Sequence, residues 1–230
     1  MRMKILVIGD LRHFEECRQK LGAHDYSHLS SHGECEPILN EHNVVFDFLI
    51  GDAPEAFALY ARKPVTVFLN TSKVTLAELA RTVKGVPQCT VFGFSGFPGL
   101  FDREFLEVSL SKPGDMPVLK KICQELNSGF LIVDDRVGLV TPRVICMIIN
   151  EAYYTVQEGT ATREDIDMAM KLGTNYPYGP FEWCERIGLK DVYELLEAIY
   201  KDSKDERYKI SALMKKEYLL LCAGSRAREW

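Results

Sequence analysis

Over the first 135 residues, short apolar runs alternate with amphipathic stretches. Residues 4–9 (KILVIG) form a β-branched run closed by glycine, the pattern of a buried parallel strand. The runs 44–50 (VVFDFLI), 64–69 (PVTVFL), 89–94 (CTVFGF), 105–109 (FLEVS) and 129–133 (GFLIV) repeat that signature. Between them, residues 14–21, 54–61, 76–83 and 116–126 read as helices. Residues 22–43 are polar, hold four of the five histidines and read as a loop. Strands alternating with helices predict a mostly parallel sheet with crossover connections.

After about residue 136 only the helical period remains. Val144, Ile145, Ile148, Ile149, Ala152, Tyr153 and Val156 recur on one helix face, which Gly159 can end. Thr162, with Asp165, offers an N-cap for a helix predicted to run to Leu172 and stop at Gly173. Gly179-Pro180 opens a third helix, with proline at its first position. Val192, Leu195, Leu196 and Ile199 mark a fourth. The tail from Leu219 mixes apolar and basic residues and ends in Trp230. The pattern predicts an α/β domain over 1–135 and an all-helical domain over 136–230.

Composition narrows the function classes. At 47% hydrophobic and 27% charged, the 230 residues suit a folded domain with a core rather than a disordered chain. The net charge of -5, from 28 basic and 33 acidic residues, argues against nucleic acid as a partner. No apolar run approaches the ~18 residues of a membrane span. The opening residues lead straight into a strand rather than a signal peptide, so a cytoplasmic protein is expected. The seven cysteines are odd in number and form no CxxC, which predicts buried free thiols in a reducing compartment.

The first strand runs into I8-G9-D10-L11-R12-H13-F14. A dinucleotide cradle wants glycine at 9, 11 and 14, for the tight turn, the approach of pyrophosphate and helix–strand packing. Only Gly9 qualifies. Phe14 puts a ring where helix and sheet should touch, and Asp10 puts negative charge where a pyrophosphate would rest. An ordinary βα turn is the expectation, and Asp25 is a poor candidate for a ribose-binding acid. His24, His28, His32 and Cys35 have spacing that could hold zinc on a helix. Their Ser- and Gly-rich setting predicts a solvated loop and no metal site. Asn70-Thr71-Ser72 follows a strand directly, where open α/β sheets bind ligands; Thr71 or Ser72 as a cap for residues 76–83 is the plainer reading. Glu107 is an acid in an apolar strand, expected to reach out to solvent. Residues 164–183 (EDIDMAMKLGTNYPYGPFEW) read as a rigid helix–turn–helix corner serving as scaffold.

Residues 138–210 carry GLVTPRVICMIINEA, then ATREDIDMAMKLGTNYPYGPFEW, then DERYKIS. This stretch resembles the helical C-terminal domain of the 3-hydroxyacyl-CoA dehydrogenase family. It is most similar to the second copy of that domain in long bacterial enzymes of phenylacetate-type degradation, where a shrunken sheet precedes it. The family couples an NAD-binding Rossmann domain to a helical domain that forms dimers and helps bind acyl-CoA. The resemblance implies a reduced Rossmann-like parallel sheet followed by that helical domain. It places substrate-binding residues at Asn70 and Ser72 and the family's glutamate at Glu107. Its general-base histidine falls on Ser95, its asparagine on Pro142, and its glycine motif survives only at Gly9.

A serine hydroxyl cannot replace an imidazole as base, and acid–base help is worth roughly 10²–10⁴-fold. The expectation is a degenerate, dimeric acyl-CoA-binding or accessory protein with impaired NAD binding, which could assemble with a full-length dehydrogenase. One alternative is an active NAD-dependent enzyme converting 3-hydroxyacyl-CoA to 3-ketoacyl-CoA, with Glu107 as base. The other is a purely structural dimerisation module.

Overall fold

A computed structural model describes residues 2–226, so Trp230 at the end of the tail lies outside the described residues. The chain divides into two compact units, Met1–Val140 and Thr141–Trp230.

The first unit is built on β1 (Lys4–Ile8), β2 (Asp25–Leu29), β3 (Val44–Asp47), β4 (Thr66–Asn70), β5 (Thr90–Phe94), β6 (Phe105–Leu110) and β7 (Gly129–Ile132). They form one sheet in the order β2-β1-β3-β4-β5-β6-β7. All pairings are parallel except β5 with β6, which is antiparallel. The apolar runs become strands because both faces of the sheet are covered. On one face Cys17 and Leu21 of α1 (Leu11–Leu21) and Leu119, Ile122 and Cys123 of α4 (Met116–Glu125) pack on Ile5, Val7, Phe46, Phe68 and Phe92. On the other, α2 (Phe57–Ala61) and α3 (Leu76–Arg81) join Leu6, Ile8, Val45, Val67, Leu69 and Val91.

Residues 22–43 depart from the loop expected of them. They contain β2, an edge strand with no fully buried side chain, which its polar sequence DYSHL concealed. After it come two 3-10 turns, His32–Glu34 and Leu39–Glu41, on the face opposite α1. Cys35 and Leu39 of this polar stretch are completely buried. The chain thus passes from β2, on one side of β1, to β3 on the other. That reversal is the topological switch point of an open α/β sheet.

The second unit is helical: α5 (Thr141–Gln157), α6 (Arg163–Thr174), α7 (Pro180–Ile187), α8 (Leu189–Ser203) and α9 (Ala212–Arg226). Thr162 caps α6 through the Asp165 N–H, but Gly173 does not end it. The helix runs on to Thr174, and Asn175 takes the left-handed conformation at φ 56°. The tail read as a mixed segment from Leu219 is the end of α9. The core of this unit is Cys146, Ile149 and Tyr153 of α5, Phe181, Cys184 and Ile187 of α7, and Val192, Leu195, Leu196 and Ile199 of α8. All seven cysteines are unpaired, six of them buried.

Candidate functional site

Ligands of an open α/β sheet bind outside the carboxyl ends of its strands. In the first unit, β1 ends at Gly9 and β4 at Asn70. A Cβ added at Gly9 would meet the His13 Cβ at 3.0 Å, so glycine is needed here for a close approach of its own helix. Asp10 is the N-cap of α1, and its carboxylate accepts the His13 N–H at 2.9 Å. The His13 Nδ1 lies 2.8 Å from that carboxylate and 3.2 Å from the Asp10 nitrogen. The positive end of α1 is therefore already answered by a negative side chain, where a pyrophosphate would be repelled. Phe14 sits half-buried over β2, stacked on His28 at 4.9 Å and edge-on to Tyr26 at 6.3 Å.

Rings fill the space beyond. His13 stacks on Phe48, just after β3, at 4.5 Å. Phe48 meets Phe94 at 5.1 Å and Phe101 at 5.3 Å, both edge-on. The segment after β5 reaches across to α1, where the Gly99 N–H donates to Glu16 Oε1 at 2.9 Å and Lys20 donates to the Arg103 carbonyl. Phe97 and Phe101 are thereby almost wholly buried. A cap occupied by carboxylate and a crevice filled by phenylalanines do not fit a dinucleotide.

The Asn70–Ser72 turn is a buried network. Asn70 Oδ1 accepts from the Ser72 hydroxyl at 2.8 Å and the Gly96 N–H at 3.0 Å, while its Nδ2 donates to the Phe48 carbonyl at 3.2 Å. Neither Thr71 nor Ser72 caps α3. Thr75 does, in a capping box with Glu78, and the Asp135 carboxylate accepts the Leu76 and Ala77 N–H groups as well. Ser95 is next to Gly96, so the polar network of Asn70 reaches its neighbour. Its hydroxyl is buried with no hydrogen-bond partner among the described residues.

Phe94 pairs with Val108 in the antiparallel ladder, and the next step of that register sets Ser95 opposite Glu107. The structure thus assembles Asn70, Ser72, Ser95 and Glu107 around the ends of β4, β5 and β6. Glu107 does not reach out to solvent as expected: its side chain is only 10% exposed. Its Oε2 accepts the Val140 N–H at 3.0 Å, and Oε1 lies 3.9 Å from an Arg103 guanidinium nitrogen. An acid in an apolar strand stays inside because it finds such partners.

The residues whose spacing could hold zinc disperse, and they do not lie in a solvated loop. His24 Nδ1 accepts the Met3 N–H, His28 bonds the Gly9 carbonyl, His32 bonds Asp47, and Cys35 is buried in the core. No group of three potential metal ligands occurs among the described residues. Sequence reasoning missed the cluster this dispersal reveals. Asp47, wholly buried at the end of β3, accepts from the His32 ring, the Tyr60 hydroxyl and the Leu49 N–H at 2.8, 2.8 and 2.9 Å. The aspartate inside VVFDFLI was its signal.

In the second unit, Pro142 is the buried second residue of α5, and the Arg143 guanidinium donates to the Tyr208 hydroxyl at 2.8 Å. The corner motif has a physical basis. The Asp167 carboxylate accepts the Phe181 and Glu182 N–H groups at 2.8 and 3.1 Å, capping α7 from outside. A Cβ at Gly179 would strike Asp167 Cγ at 2.3 Å, so only glycine permits that approach. Lys171 bonds Glu182, and the Arg163 guanidinium lies beside the paired rings of Tyr153 and Phe181, 5.1 and 4.8 Å from their centroids.

Comparison with known proteins agrees with this corner. Residues 138–227 match the family described as 3-hydroxyacyl-CoA dehydrogenase, C-terminal domain. The chain is 39% identical over 97 residues to the 3-hydroxyadipyl-CoA dehydrogenase of Escherichia coli (strain K12), covering 42% of this chain and 20% of that protein. It is 36% identical over 151 residues to a probable 3-hydroxybutyryl-CoA dehydrogenase of Bacillus subtilis (strain 168), covering 64% of this chain and 52% of that one. The match thus spans about half of the second relative and much less of the first. Its fold is like that of M. tuberculosis FadB2, with a TM-score of 0.77 at 15% identity over 97% of this chain and 94% of the other. Residues 138–227 are thus similar to the C-terminal domain of the 3-hydroxyacyl-CoA dehydrogenase family.

Proposed function

We propose that this protein binds an acyl-CoA ester without NAD-dependent turnover, as a homodimer through its helical unit, either alone or beside a full-length dehydrogenase. The observation that carries this reading is the Asp10 carboxylate on the first turn of α1, backed by the His13–Phe48–Phe101 stack. The family reaction needs a base to take the hydroxyl proton as hydride leaves the carbon. At the strand end opposite Glu107 the chain offers the Ser95 hydroxyl, which keeps its own proton at neutral pH and does not take up another. The thioester side of the reading rests on the similarity of the C-terminal domain and on the Asn70–Ser72 pair, in which the Ser72 hydroxyl donates to Asn70 Oδ1 at 2.8 Å.

That same pair favours a second reading, an active dehydrogenase with Glu107 as base. The two differ in the cuvette. With acetoacetyl-CoA and NADH at high protein concentration, the proposal expects no fall in absorbance at 340 nm. It also expects acetoacetyl-CoA, and not NADH, to raise the melting temperature, because a ligand of the folded state stabilises it. Turnover lost in Glu107→Gln would establish the second reading instead.

A further inference from the structure

We propose that the segment joining β2 to β3 is a proton-sensitive strap, pinned across the switch point of the sheet by His32 and Asp47. The reading does not depend on the acyl-CoA proposal.

The topology sets the span. β1 lies between β2 and β3, and each neighbouring pair of strands is ~4.8 Å apart. His32 stands three residues past the end of β2, while Asp47 is the last residue of β3 and pairs with Ile8 of β1. The bond between them, 2.8 Å long, therefore crosses the carboxyl end of β1. Beneath it Cys35 and Leu39 are buried against Leu6, Ile8, Val45, Ile50 and Tyr60. The far end of the strap is tied by His42, whose Nδ1 donates to the Ile38 carbonyl and whose Nε2 lies 2.8 Å from the Ser27 hydroxyl. Between the ties are only two 3-10 turns of three residues each, which have little stability of their own.

The pin is electrostatically one-sided. Asp47 comes from β3, Glu55 from the turn before α2, and Tyr60 from α2; Cys35 lies within the strap, with Glu36 and Lys63 behind it. Among the described residues, the cationic side chain bonded to the buried Asp47 carboxylate is that of His32. Burial by itself favours the neutral imidazole. The Asp47 carboxylate outweighs it, so the His32 pKa lies above its ordinary value of 6.5. The Tyr60 hydroxyl is pushed far upward by burial and by Asp47, and the Cys35 thiol is raised to about 11 by burial first. Neither loses its proton near neutral pH, which leaves His32, raised above 6.5, as the titrating group of the pin. Below 6.5 the ring is charged whether the strap is seated or released, and the ion pair contributes fully. As pH rises through the elevated value, the charge goes and a neutral hydrogen bond remains.

The test is amide hydrogen exchange of residues 33–41 at pH 6 and pH 9, corrected for intrinsic rates, in the full chain and in His32→Gln. The wild-type strap should lose protection at pH 9 by roughly fivefold or more, relative to β4 as an internal reference. His32→Gln, which keeps a neutral donor, should show the lower protection at both pH values. Protection that is flat with pH in the wild type, or a pH dependence that survives His32→Gln, overturns the proposal. If His32→Gln does not fold, NMR titration of the wild-type His32 ring replaces it. Its midpoint must coincide with that of strap protection, and separate midpoints would refute the pin.

Discussion

At the residue scale, several polar side chains at the strand ends are engaged in holding the structure together. Asp10 is the clearest: its carboxylate caps α1 through the His13 N–H. Asp10→Ala should cost about 1 kcal/mol of stability, read by denaturant unfolding, and should not by itself create NADH binding, because Phe48 and Phe101 remain. Glu16 makes a different point. Burial raises its carboxyl pKa, Gly99 pulls it down less strongly, and its Oε2 is buried with no partner. The ionised form is thus disfavoured in the fold. Glu16→Gln should raise the melting temperature at pH 7, and the gain should shrink as pH falls through the raised value and vanish below 4.5. That Asn70, Ser72, Ser95 and Glu107 lie near one another followed from the family resemblance and from their places at strand ends. The partners of Glu107 were not legible, since the Val140 N–H is 33 residues away in sequence. Nor was the ring stack, although FGFSGFPGLF is dense in phenylalanine, because apolar composition does not reveal which crevice it fills.

At the element scale, the apolar runs marked six of the seven strands and placed most helices. The missed strand was β2, whose polar side chains suit an exposed edge and give no period-two signal. The antiparallel turn of β6 was also silent, since an isolated run carries no direction. In α6 the error was one of punctuation. Gly173 lies within the helix, is exposed, and has nothing within 4 Å of an added Cβ. Gly173→Ala should therefore stabilise the chain by about 0.5–1 kcal/mol, visible as a shifted denaturant midpoint, whereas a true terminal glycine would resist the change. Gly179→Ala should do the reverse, because its Cβ would collide with the carboxylate that caps α7. The corner string could be recognised from sequence, but the reason for it, one aspartate capping a helix across a turn, needed coordinates.

At the scale of the whole molecule, the helical unit leaves apolar side chains uncovered. Met168 and Leu172 lie one turn apart on α6, and both are exposed, as are Val144 of α5 and Leu219 and Leu220 of α9. No residue of α6 is fully buried, an unusual state for an amphipathic helix. A homodimer through this unit, as proposed, predicts that Leu172→Glu shifts the mass measured by light scattering from dimer to monomer while the circular dichroism spectrum is unchanged. The α/β-then-helical order was readable from the change of period near residue 136. The ring stack was not, because it depends on residues from α1, from β5 and from the segments after β3 and β5 meeting in space.

The proposed function has the chain bind the thioester and not the dinucleotide. Isothermal titration of one preparation, first with NADH and then with acetoacetyl-CoA, addresses it most directly. The account predicts no heat of binding for NADH and a saturable isotherm for the thioester. A micromolar NADH isotherm, or a thioester that gives none, would contradict it.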